Sequence, residues 1–240
     1  MKEFLLSIAG FDPTGGAGIL RDIRTFNYFG FLGASVITVN TAQNTKGVKL
    51  FEFMDEKLIL NQLNLVLEEL DIKGVKIGIP HKEERVNKEI AKVVGSLKVP
   101  VVFDPVLSPT FGKDFVENVS VLEPILEVSS VITPNEREYR ILKESLRNFD
   151  GYVILKGKKL NENLVEDVLM RRGNVLRKIK HEKDSLVIRG TGCAFSSAVL
   201  SFLAKGHDIG TAFEKASLFL EEYRRRHFWK SNMRQGYSLL

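Results

Sequence analysis

The stretch Gly190-Thr191-Gly192-Cys193 leads directly into the small, apolar run AFSSAVLSFLA at positions 194–204, which has the length of a helix. Glycines at a helix start let backbone N–H groups converge, and the helix dipole adds partial positive charge there. One interpretation is an anion site whose field favours the thiolate of Cys193. The other is a tight loop entering a buried helix, with Cys193 as a small core residue. These residues alone support the two interpretations equally.

Composition places the chain among ordinary globular proteins. It has 240 residues, of which 44% are hydrophobic and 27% are charged, and its net charge is +5. This charge suits an anionic substrate such as a nucleotide and is weak evidence for nucleic acid, which we do not expect as a partner. A single cysteine cannot form an intramolecular disulfide and favours a reducing, cytoplasmic location. No apolar run reaches membrane-spanning length, so we expect no membrane association.

Strand-like and helix-like segments alternate along most of the chain. We predict short strands at residues 4–9, 35–39, 48–53, 75–77, 101–103, 131–133 and 152–155. Such alternation is typical of an α/β fold, a three-layer α/β/α structure with a mostly parallel central sheet and helices on both faces. In the absence of repeats or linker-like segments, we expect a single domain over residues 1–240.

Other segments carry more local predictions. The runs 164–170 and 175–180 favour a hairpin at a sheet edge, although the first run is also compatible with a helix. Asp55 and Asp208 are expected to be helix N-caps. The polar stretch 41–47 and a segment through Pro109 and Gly112 are predicted to be loops, and residues 227–240 show no clear period.

Polar residues follow the ends of the predicted strands. They are Gln43, Asp104, Asn135, Glu138 and Lys156. Ligands of open α/β sheets bind at the carboxyl ends of the strands, so this distribution indicates a site along one edge of the sheet. Each residue taken singly also has a structural explanation, such as a turn at Asp104 or a capping box formed by Asn135 and Glu138.

The segment 12–18, DPTGGAG, looks like a phosphate-binding loop only in its glycine content. It lacks the Gly-Lys-Ser/Thr ending of a Walker loop, so we reject that assignment. Glycines here more simply allow the backbone to approach a small ligand closely. Asp22, in the following helix, either turns its carboxylate toward that ligand or is an exposed helix charge.

Several motifs together resemble the hydroxymethylpyrimidine/phosphomethylpyrimidine kinases of thiamine biosynthesis, which belong to the ribokinase-like superfamily. The first is SIAGFDPTGGAGI at positions 7–19. The others follow in the order of that family: GASVIT at 33–38, TAQNT at 41–45, KIG at 76–78, DPV at 104–106, TPN at 133–135 with Glu138, KG at 156–157, and GTGC at 190–193 with SSA at 196–198. The resemblance covers residues 4 to about 206 and favours the anion-site interpretation of the opening stretch.

The resemblance implies an activity and its cofactors. The expected reaction is ATP-dependent phosphorylation of 4-amino-5-hydroxymethyl-2-methylpyrimidine, and then of its monophosphate, to the diphosphate. ATP and Mg²⁺ are the implied cofactors, and members of the family are commonly homodimers. Most ribokinase-like enzymes have an aspartate at the position of Cys193, and a cysteine there marks the pyrimidine-kinase branch.

The resemblance also assigns roles by position. The pyrimidine is expected to contact Gly10, Asp22, Gln43 and Ile79. The transferring phosphate is expected in an anion hole formed by Gly190, Thr191, Gly192 and Cys193, with the Cys193 thiolate as candidate base. The nucleotide is expected to contact Asp104, Asn135, Lys156 and Arg189. Magnesium is expected near Glu138 and Asp104.

The chain departs from the family pattern at a few points. Ile79-Pro80 replaces the typical Met-Leu, which puts the pocket wall and the substrate range in doubt. Arg189 stands where histidine is common and is expected to reach a phosphate. Residues 227–240 do not match the Gly/His/Pro-rich ending of many members. Two other functions stay open: a pyridoxal kinase of the same superfamily, and a ligand-sensing module that kept the pocket but lost catalysis.

Overall fold

The computed structural model describes residues 3–108, 114–116, 118–183 and 186–240. Its strands are β1 Phe4–Phe11, β2 Leu32–Asn44, β3 Gly47–Phe53, β4 Ile72–Ile77, β5 Val101–Phe103, β6 Val131–Ile132, β7 Tyr152–Lys159, β8 Leu164–Arg171, β9 Asn174–Glu182, β10 His227–Phe228 and β11 Tyr237–Ser238. Its α-helices are α1 Gly18–Tyr28, α2 Glu56–Glu69, α3 Glu84–Ser96, α4 Glu123–Val128, α5 Glu136–Leu142, α6 Thr191–Ala204 and α7 Ile209–Arg225. The loop predicted through Pro109 and Gly112 lies outside the described residues.

The first nine strands form one sheet in the order β3-β2-β1-β4-β5-β6-β7-β8-β9. The six strands from β2 to β7 in this order run parallel, whereas β3, β8 and β9 are antiparallel to their neighbours. The prediction of a mostly parallel α/β sheet is therefore confirmed. The predicted edge hairpin is also confirmed, because residues 164–171 form β8 rather than a helix.

Two apolar clusters lie on opposite faces of the sheet. Ile59 of α2, Ile90 of α3 and Ile125 of α4 belong to one cluster, packed on the first face. The second face is covered by α1, α6 and α7, which contribute a separate cluster. Helix α6 lies at the centre of this second layer, and eight of its residues, 194–201, are buried. This placement explains why its sequence is apolar on every side.

The structure corrects one prediction and confirms two. Residues 41–44 belong to β2 and are not a loop, because they pair with β3 through contacts such as Thr41 with Phe51. Their polarity has another cause, since Thr41 and Gln43 face the cavity described below. The N-caps Asp55 and Asp208 are both present, and each accepts a backbone N–H of its helix. Across the described residues, no helix combines the length and apolarity needed to cross a bilayer.

A buried ion pair connects β4 to α1. The Lys76 ammonium lies 3.0 and 2.9 Å from the two carboxylate oxygens of Asp22, and neither side chain has any exposed surface. Hydroxyls of Ser7 on β1 and Ser197 on α6 donate to the same carboxylate at 2.6 and 2.9 Å. Burial alone would lower the pKa of Lys76, but the Asp22 carboxylate beside it raises that pKa. The pair is therefore held in its ionised form at the junction of two strands and two helices.

We predict that K76M lowers the free energy of unfolding by about 3–5 kcal/mol, because it leaves a buried carboxylate without its cation. The double variant K76M/D22N should recover part of this loss, since no lone charge remains. Urea unfolding measures both effects.

Lys73 supplies a matched control on the same strand. It lies 2.7 Å from Asp71, but the two side chains are 37% and 78% exposed. Water screens such a pair, so K73M should leave the unfolding free energy nearly unchanged. Equally small losses of unfolding free energy for K76M and K73M would show that the buried ion pair contributes no more to stability than the exposed one.

Candidate active site

A cavity of about 450 Å³ opens at the carboxyl ends of the parallel strands. This volume is within the range of small-molecule sites. The sequence-predicted residues that line it are Gly10, Gln43, Ile79, Asp104, Asn135, Glu138, Lys156, Arg189, Gly190, Thr191, Gly192 and Cys193. The fold therefore brings twelve of the thirteen predicted site residues to one place, all except Asp22.

The anion loop, residues 190–193, forms one wall of the cavity. Gly190 has φ +69° and ψ +16°, a left-handed conformation from which α6 begins at Thr191. The first bond within the helix runs from Ala194 N to Gly190 O at 2.8 Å, so the N–H groups of residues 191–193 have no acceptor within the helix. Such N–H groups at a helix start form a binding site for a phosphate.

The loop is held against the glycine segment 12–18 by close backbone contact. A Cβ on Gly190 would lie 2.2 Å from the carbonyl oxygen of Gly16, and one on Gly18 would lie 2.2 Å from that of Gly10. Asp12 shapes this segment by accepting from the backbone N–H of Thr14 at 2.9 Å and of Ala17 at 3.0 Å. The two loops thus form a continuous backbone surface along the cavity.

Lysine side chains adjoin the anion loop. Lys156 Nζ lies 2.6 Å from Asp104 Oδ1 and is close to Gly192, where a Cβ would meet it at 3.3 Å. The other oxygen of Asp104 is 4.0 Å from Lys76 Nζ. Although burial opposes it, the two ammonium groups hold the pKa of Asp104 below its ordinary value. The positive charge of Lys156 is therefore fixed beside the backbone donors.

Asn135 and Glu138 form the capping box of α5, and both also line the cavity. Asn135 Oδ1 accepts from Glu138 N at 2.9 Å, and Glu138 Oε2 accepts from Asn135 N at 2.8 Å. The capping box predicted from the sequence is therefore present, and the same two side chains are still available to a ligand in the cavity. Burial raises the pKa of Glu138 to about 7, and the neighbouring Lys156 only partly opposes this.

The carboxylates suit magnesium by their chemistry. Among the described residues, no three His, Cys, Asp or Glu side chains gather into a metal centre. Magnesium in phosphoryl-transfer sites needs only one or two carboxylates, because phosphates and water supply its other oxygens. Glu138 and Asp104 line the cavity near Lys156 and fit that donor set.

The far end of the cavity is formed by Gly10, Gln43 and Ile79. A Cβ on Gly10 would lie 2.8 Å from Ile79 Cδ1, so glycine is required to leave space beside this apolar wall. Ile79 is fixed in turn by Thr38, whose hydroxyl donates to its carbonyl at 2.5 Å. Gln43 brings an amide to the cavity lining, where Arg189, the residue before the anion loop, donates to it at 2.9 Å.

Arg189 does not have the environment expected of a phosphate ligand. Its Nη2 donates to Asp12 Oδ2 at 2.7 Å and to Gln43 Oε1 at 2.9 Å. Its Nη1 donates to Asn44 O and to Gln235 Oε1, both at 2.9 Å. All four hydrogens of the terminal nitrogens are therefore used within the protein, and the guanidinium belongs to the Gln43 end of the cavity.

Asp22 is also placed differently from the prediction. It lies behind the cavity wall with no exposed surface, and its carboxylate is occupied by Lys76, Ser7 and Ser197. Lys76 is a cavity-lining residue that the sequence interpretation did not assign to the site. A signal was available, because a lysine inside the apolar strand Val75-Lys76-Ile77 must find a partner for its charge.

The surroundings of Cys193 do not favour the expected thiolate. Its side chain is partly exposed on the cavity wall, yet burial raises the pKa of the thiol to about 11. Lys76 lowers this pKa, but the Asp22 and Asp104 carboxylates act in the opposite direction. The sequence interpretation expected a thiolate because it considered only the helix start. The two carboxylates that oppose a thiolate belong to segments far from Cys193 in the chain.

Comparison with known sequences points to one family. The sequence model of phosphomethylpyrimidine kinase matches residues 12–237. A hydroxymethylpyrimidine/phosphomethylpyrimidine kinase of Aquifex aeolicus is 35% identical over an alignment of 241 positions, in which 90% of this chain and 92% of the relative are covered. A bifunctional thiamine biosynthesis protein of Methanocaldococcus jannaschii is 32% identical over 225 residues. That alignment covers 90% of this chain but 52% of the relative, so the chain spans about half the length of that protein.

Solved structures show the same fold. A pyridoxal kinase of Bacillus subtilis in an ADP complex has a TM-score of 0.82 and 26% identity, with 99% of this chain and 97% of that chain covered. A phosphomethylpyrimidine kinase of Clostridium difficile 630 has a TM-score of 0.74 and 29% identity, with 92% and 99% covered. These likenesses confirm the family resemblance and the ribokinase-like fold inferred from the motifs.

Close backbone contact at the anion loop leads to a stability prediction. G206A introduces a side chain at φ +83° with nothing within 4 Å of the new Cβ, so only the left-handed backbone opposes it, at about 1–2 kcal/mol. G190A has a similar φ and in addition brings its Cβ to 2.2 Å from Gly16 O, so its loss should be clearly larger. Urea unfolding compares the two, and equal losses would contradict the contact.

The raised thiol pKa leads to a labelling prediction. Cys193 is the only cysteine, so iodoacetamide reports on it alone. Its alkylation rate should keep rising with pH toward the pKa of about 11. Near neutral pH the folded protein should react roughly 300-fold more slowly than the urea-unfolded chain, because about 2.5 pKa units separate the folded thiol from an ordinary one. A plateau in the folded protein below about pH 8.5, the ordinary thiol pKa, would show that the thiolate is stabilised after all.

Proposed function

The chain belongs to the phosphomethylpyrimidine kinase family, and from this membership we propose that it phosphorylates 4-amino-5-hydroxymethyl-2-methylpyrimidine in thiamine biosynthesis. In the proposed reaction, ATP donates a phosphoryl group to the hydroxymethyl oxygen, and a second transfer converts the monophosphate to the diphosphate. The chain would act as a single kinase domain over residues 1–240.

One observation carries the proposal. The cavity is lined both by anion-binding groups, the N–H groups of residues 191–193 and the Lys156 ammonium, and by the Gln43 amide. A small ring with a hydroxymethyl arm fits between them, with the arm toward the phosphate. Phosphoryl transfer depends mainly on positioning and on stabilising charge at the phosphoryl oxygens, and this arrangement supplies both.

Protein groups have distinct parts in the proposed transfer. The backbone donors of the anion loop and Lys156 stabilise the charge on the transferring group. Asp104 holds Lys156 in place through its 2.6 Å contact. Asn135 and Glu138 line the path of the nucleotide phosphates, and Glu138 with Asp104 would hold magnesium, which neutralises phosphate charge when bound.

Cys193 remains the hypothetical acceptor of the hydroxyl proton. A loose transition state leaves that proton in place until late in the transfer, so a strong base is not required. Only the thiolate can take up that proton, and it is a minor species near neutral pH because the pKa of the thiol is raised to about 11. The protonated thiol itself can only orient the hydroxyl through a weak hydrogen bond. Removal of the side chain in C193A separates this role from binding.

A pyridoxal kinase activity is the second candidate. The high structural similarity to the Bacillus subtilis pyridoxal kinase favours it. The matched family and the relatives named hydroxymethylpyrimidine/phosphomethylpyrimidine kinase favour the pyrimidine. A cytoplasmic location, a homodimer and the absence of nucleic acid and membrane partners stay predictions from the sequence.

A coupled assay of ATP consumption tests the proposal. The protein is supplied with ATP, Mg²⁺ and one of three acceptors: the hydroxymethylpyrimidine, its monophosphate or pyridoxal. We expect both pyrimidines to be consumed with a higher kcat/KM than pyridoxal, and products whose masses show added phosphoryl groups. K156M should lower kcat by about 100-fold or more, because it removes a charge beside the transferring group.

Lys159 provides the matched control, since it is on the same strand with an exposed side chain. K159M should keep wild-type turnover. A strong preference for pyridoxal would replace the main proposal by the second candidate. Tight pyrimidine binding without ATP consumption would instead support a sensing module.

A further inference from the structure

The Gln43 amide is part of a hydrogen-bond chain with a fixed direction. Arg189 Nη2 donates to Gln43 Oε1 at 2.9 Å, and Gln43 Nε2 donates to Thr41 Oγ1 at 2.8 Å. The Thr41 hydroxyl then donates to the carbonyl of Phe11 at 2.8 Å. The three hydrogen bonds have the same donor-to-acceptor direction, which runs from the Arg189 guanidinium to the backbone carbonyl of Phe11.

This direction fixes which way the amide faces. A rotated Gln43 amide would place its NH₂ group against the guanidinium donors and its oxygen against a hydroxyl whose hydrogen is already used. Arg189 cannot lose its proton, so it always acts as a donor to Gln43. The second N–H of Gln43 Nε2 is then the donor left for a ligand in the cavity.

Arg189 is itself held on two sides. Asp12 Oδ2 accepts from Nη2 at 2.7 Å, and Gln235 Oε1 accepts from Nη1 at 2.9 Å. Gln235 is 3% exposed and also lines the cavity. Without its oxygen, one N–H of the buried guanidinium would lose its acceptor, and the head group could tilt away from Gln43.

Gln235 is supplied by the C-terminal segment, residues 227–240, which the sequence left without an assignment. This segment is fastened to the residues that precede the anion loop. Arg189 N donates to Gly236 O, and Gly236 N donates to Val187 O, both at 2.9 Å. Ser238 Oγ donates to Tyr223 O on α7 at 2.8 Å. The position of Gln235 is therefore set by backbone bonds rather than by its own side chain.

We propose that Gln235 is a positioning residue for substrate recognition, acting through Arg189 to hold the Gln43 amide with its N–H toward the substrate ring. This inference rests on the proposed function, because it concerns recognition of the acceptor substrate in the same cavity. The chemistry selected at this point is a ring that offers a hydrogen-bond acceptor, such as an unprotonated heteroaromatic nitrogen. The role of Gln235 is indirect, so it affects acceptor binding and not the transferring phosphate.

Two substitutions separate the oxygen of Gln235 from its bulk. Q235M keeps the size and removes the acceptor, whereas Q235E keeps an oxygen that Arg189 can reach. We expect Q235M to raise KM for the hydroxymethylpyrimidine about 10-fold, in keeping with one unsatisfied buried donor, with KM for ATP and kcat little changed. Q235E should restore most of the wild-type KM.

Gln62 provides a matched control. Its Oε1 accepts from the backbone N–H of Ile37 at 3.1 Å, away from the cavity. Q62M removes a comparable hydrogen bond, and it should leave both KM values unchanged while melting temperatures show any loss of stability. Steady-state kinetics of the wild type and the three variants, with thermal unfolding of each, make the comparison.

Substrate analogues test the direction of the amide. In the two deaza analogues of the pyrimidine, one ring nitrogen is replaced by C–H and one acceptor is lost. Wild-type protein should bind one of them more weakly than the parent pyrimidine, measured calorimetrically without ATP. Q235M should show a smaller difference, because its Gln43 amide is less well oriented.

Each outcome decides a separate question. Equal KM values for wild type and Q235M, a parallel rise in KM for ATP, or no rescue by Q235E would overturn the positioning role. Equal affinity of the wild type for the parent pyrimidine and both analogues would overturn the assigned amide direction. Failure of the wild type to bind or phosphorylate the pyrimidine would overturn the proposed function itself, and the inference with it.

Discussion

Two lysines and two aspartates alternate in a row along the cavity wall, with Asp22 behind it, and the site depends on this row. Asp22 pairs with Lys76 at 2.9 Å, Lys76 approaches Asp104 at 4.0 Å, and Asp104 pairs with Lys156 at 2.6 Å. Charges buried this deeply persist only when each has an opposite neighbour. The row therefore fixes α1, β4, β5 and β7 relative to one another, and it leaves the Lys156 ammonium beside the anion loop. The same carboxylates also keep the Cys193 thiol protonated.

The two ends of the cavity are linked by backbone as well as by charge. The anion loop packs on the glycine segment 12–18, and Arg189, which directly precedes that loop, reaches across to Gln43. Arg189 and its partners thus connect the start of the anion loop to the Gln43 amide. The C-terminal segment completes this link, because its backbone is bonded to residues 187–189. A segment without the Gly/His/Pro-rich ending of many members thereby contributes Gln235 to the cavity wall.

The sequence was sufficient for what local pattern determines. Alternating strands and helices predicted the sheet, and strand-end residues from Gly10 to Lys156 were correctly brought to one edge. Sequence pattern did not predict the side-chain contacts between residues that are far apart in the chain. The partner of Lys76 is 54 residues away, and Arg189 is bonded to Asp12 across 177 residues, so neither bond has a local signature. Residues 41–44 were predicted to be a loop because, in the sequence, polar residues that face a cavity cannot be distinguished from polar residues that face solvent.

A crystal structure with the hydroxymethylpyrimidine and a non-hydrolysable ATP analogue tests the central claim most directly. The measurement is the set of distances from the terminal phosphate and the ring to the protein. The account predicts that phosphate oxygens lie within about 3.2 Å of the N–H groups of residues 191–193 and of Lys156 Nζ, with a ring nitrogen at Gln43 Nε2. A phosphate held by Arg189, or a ring that contacts Asp22 after the Lys76 pair has opened, would contradict it.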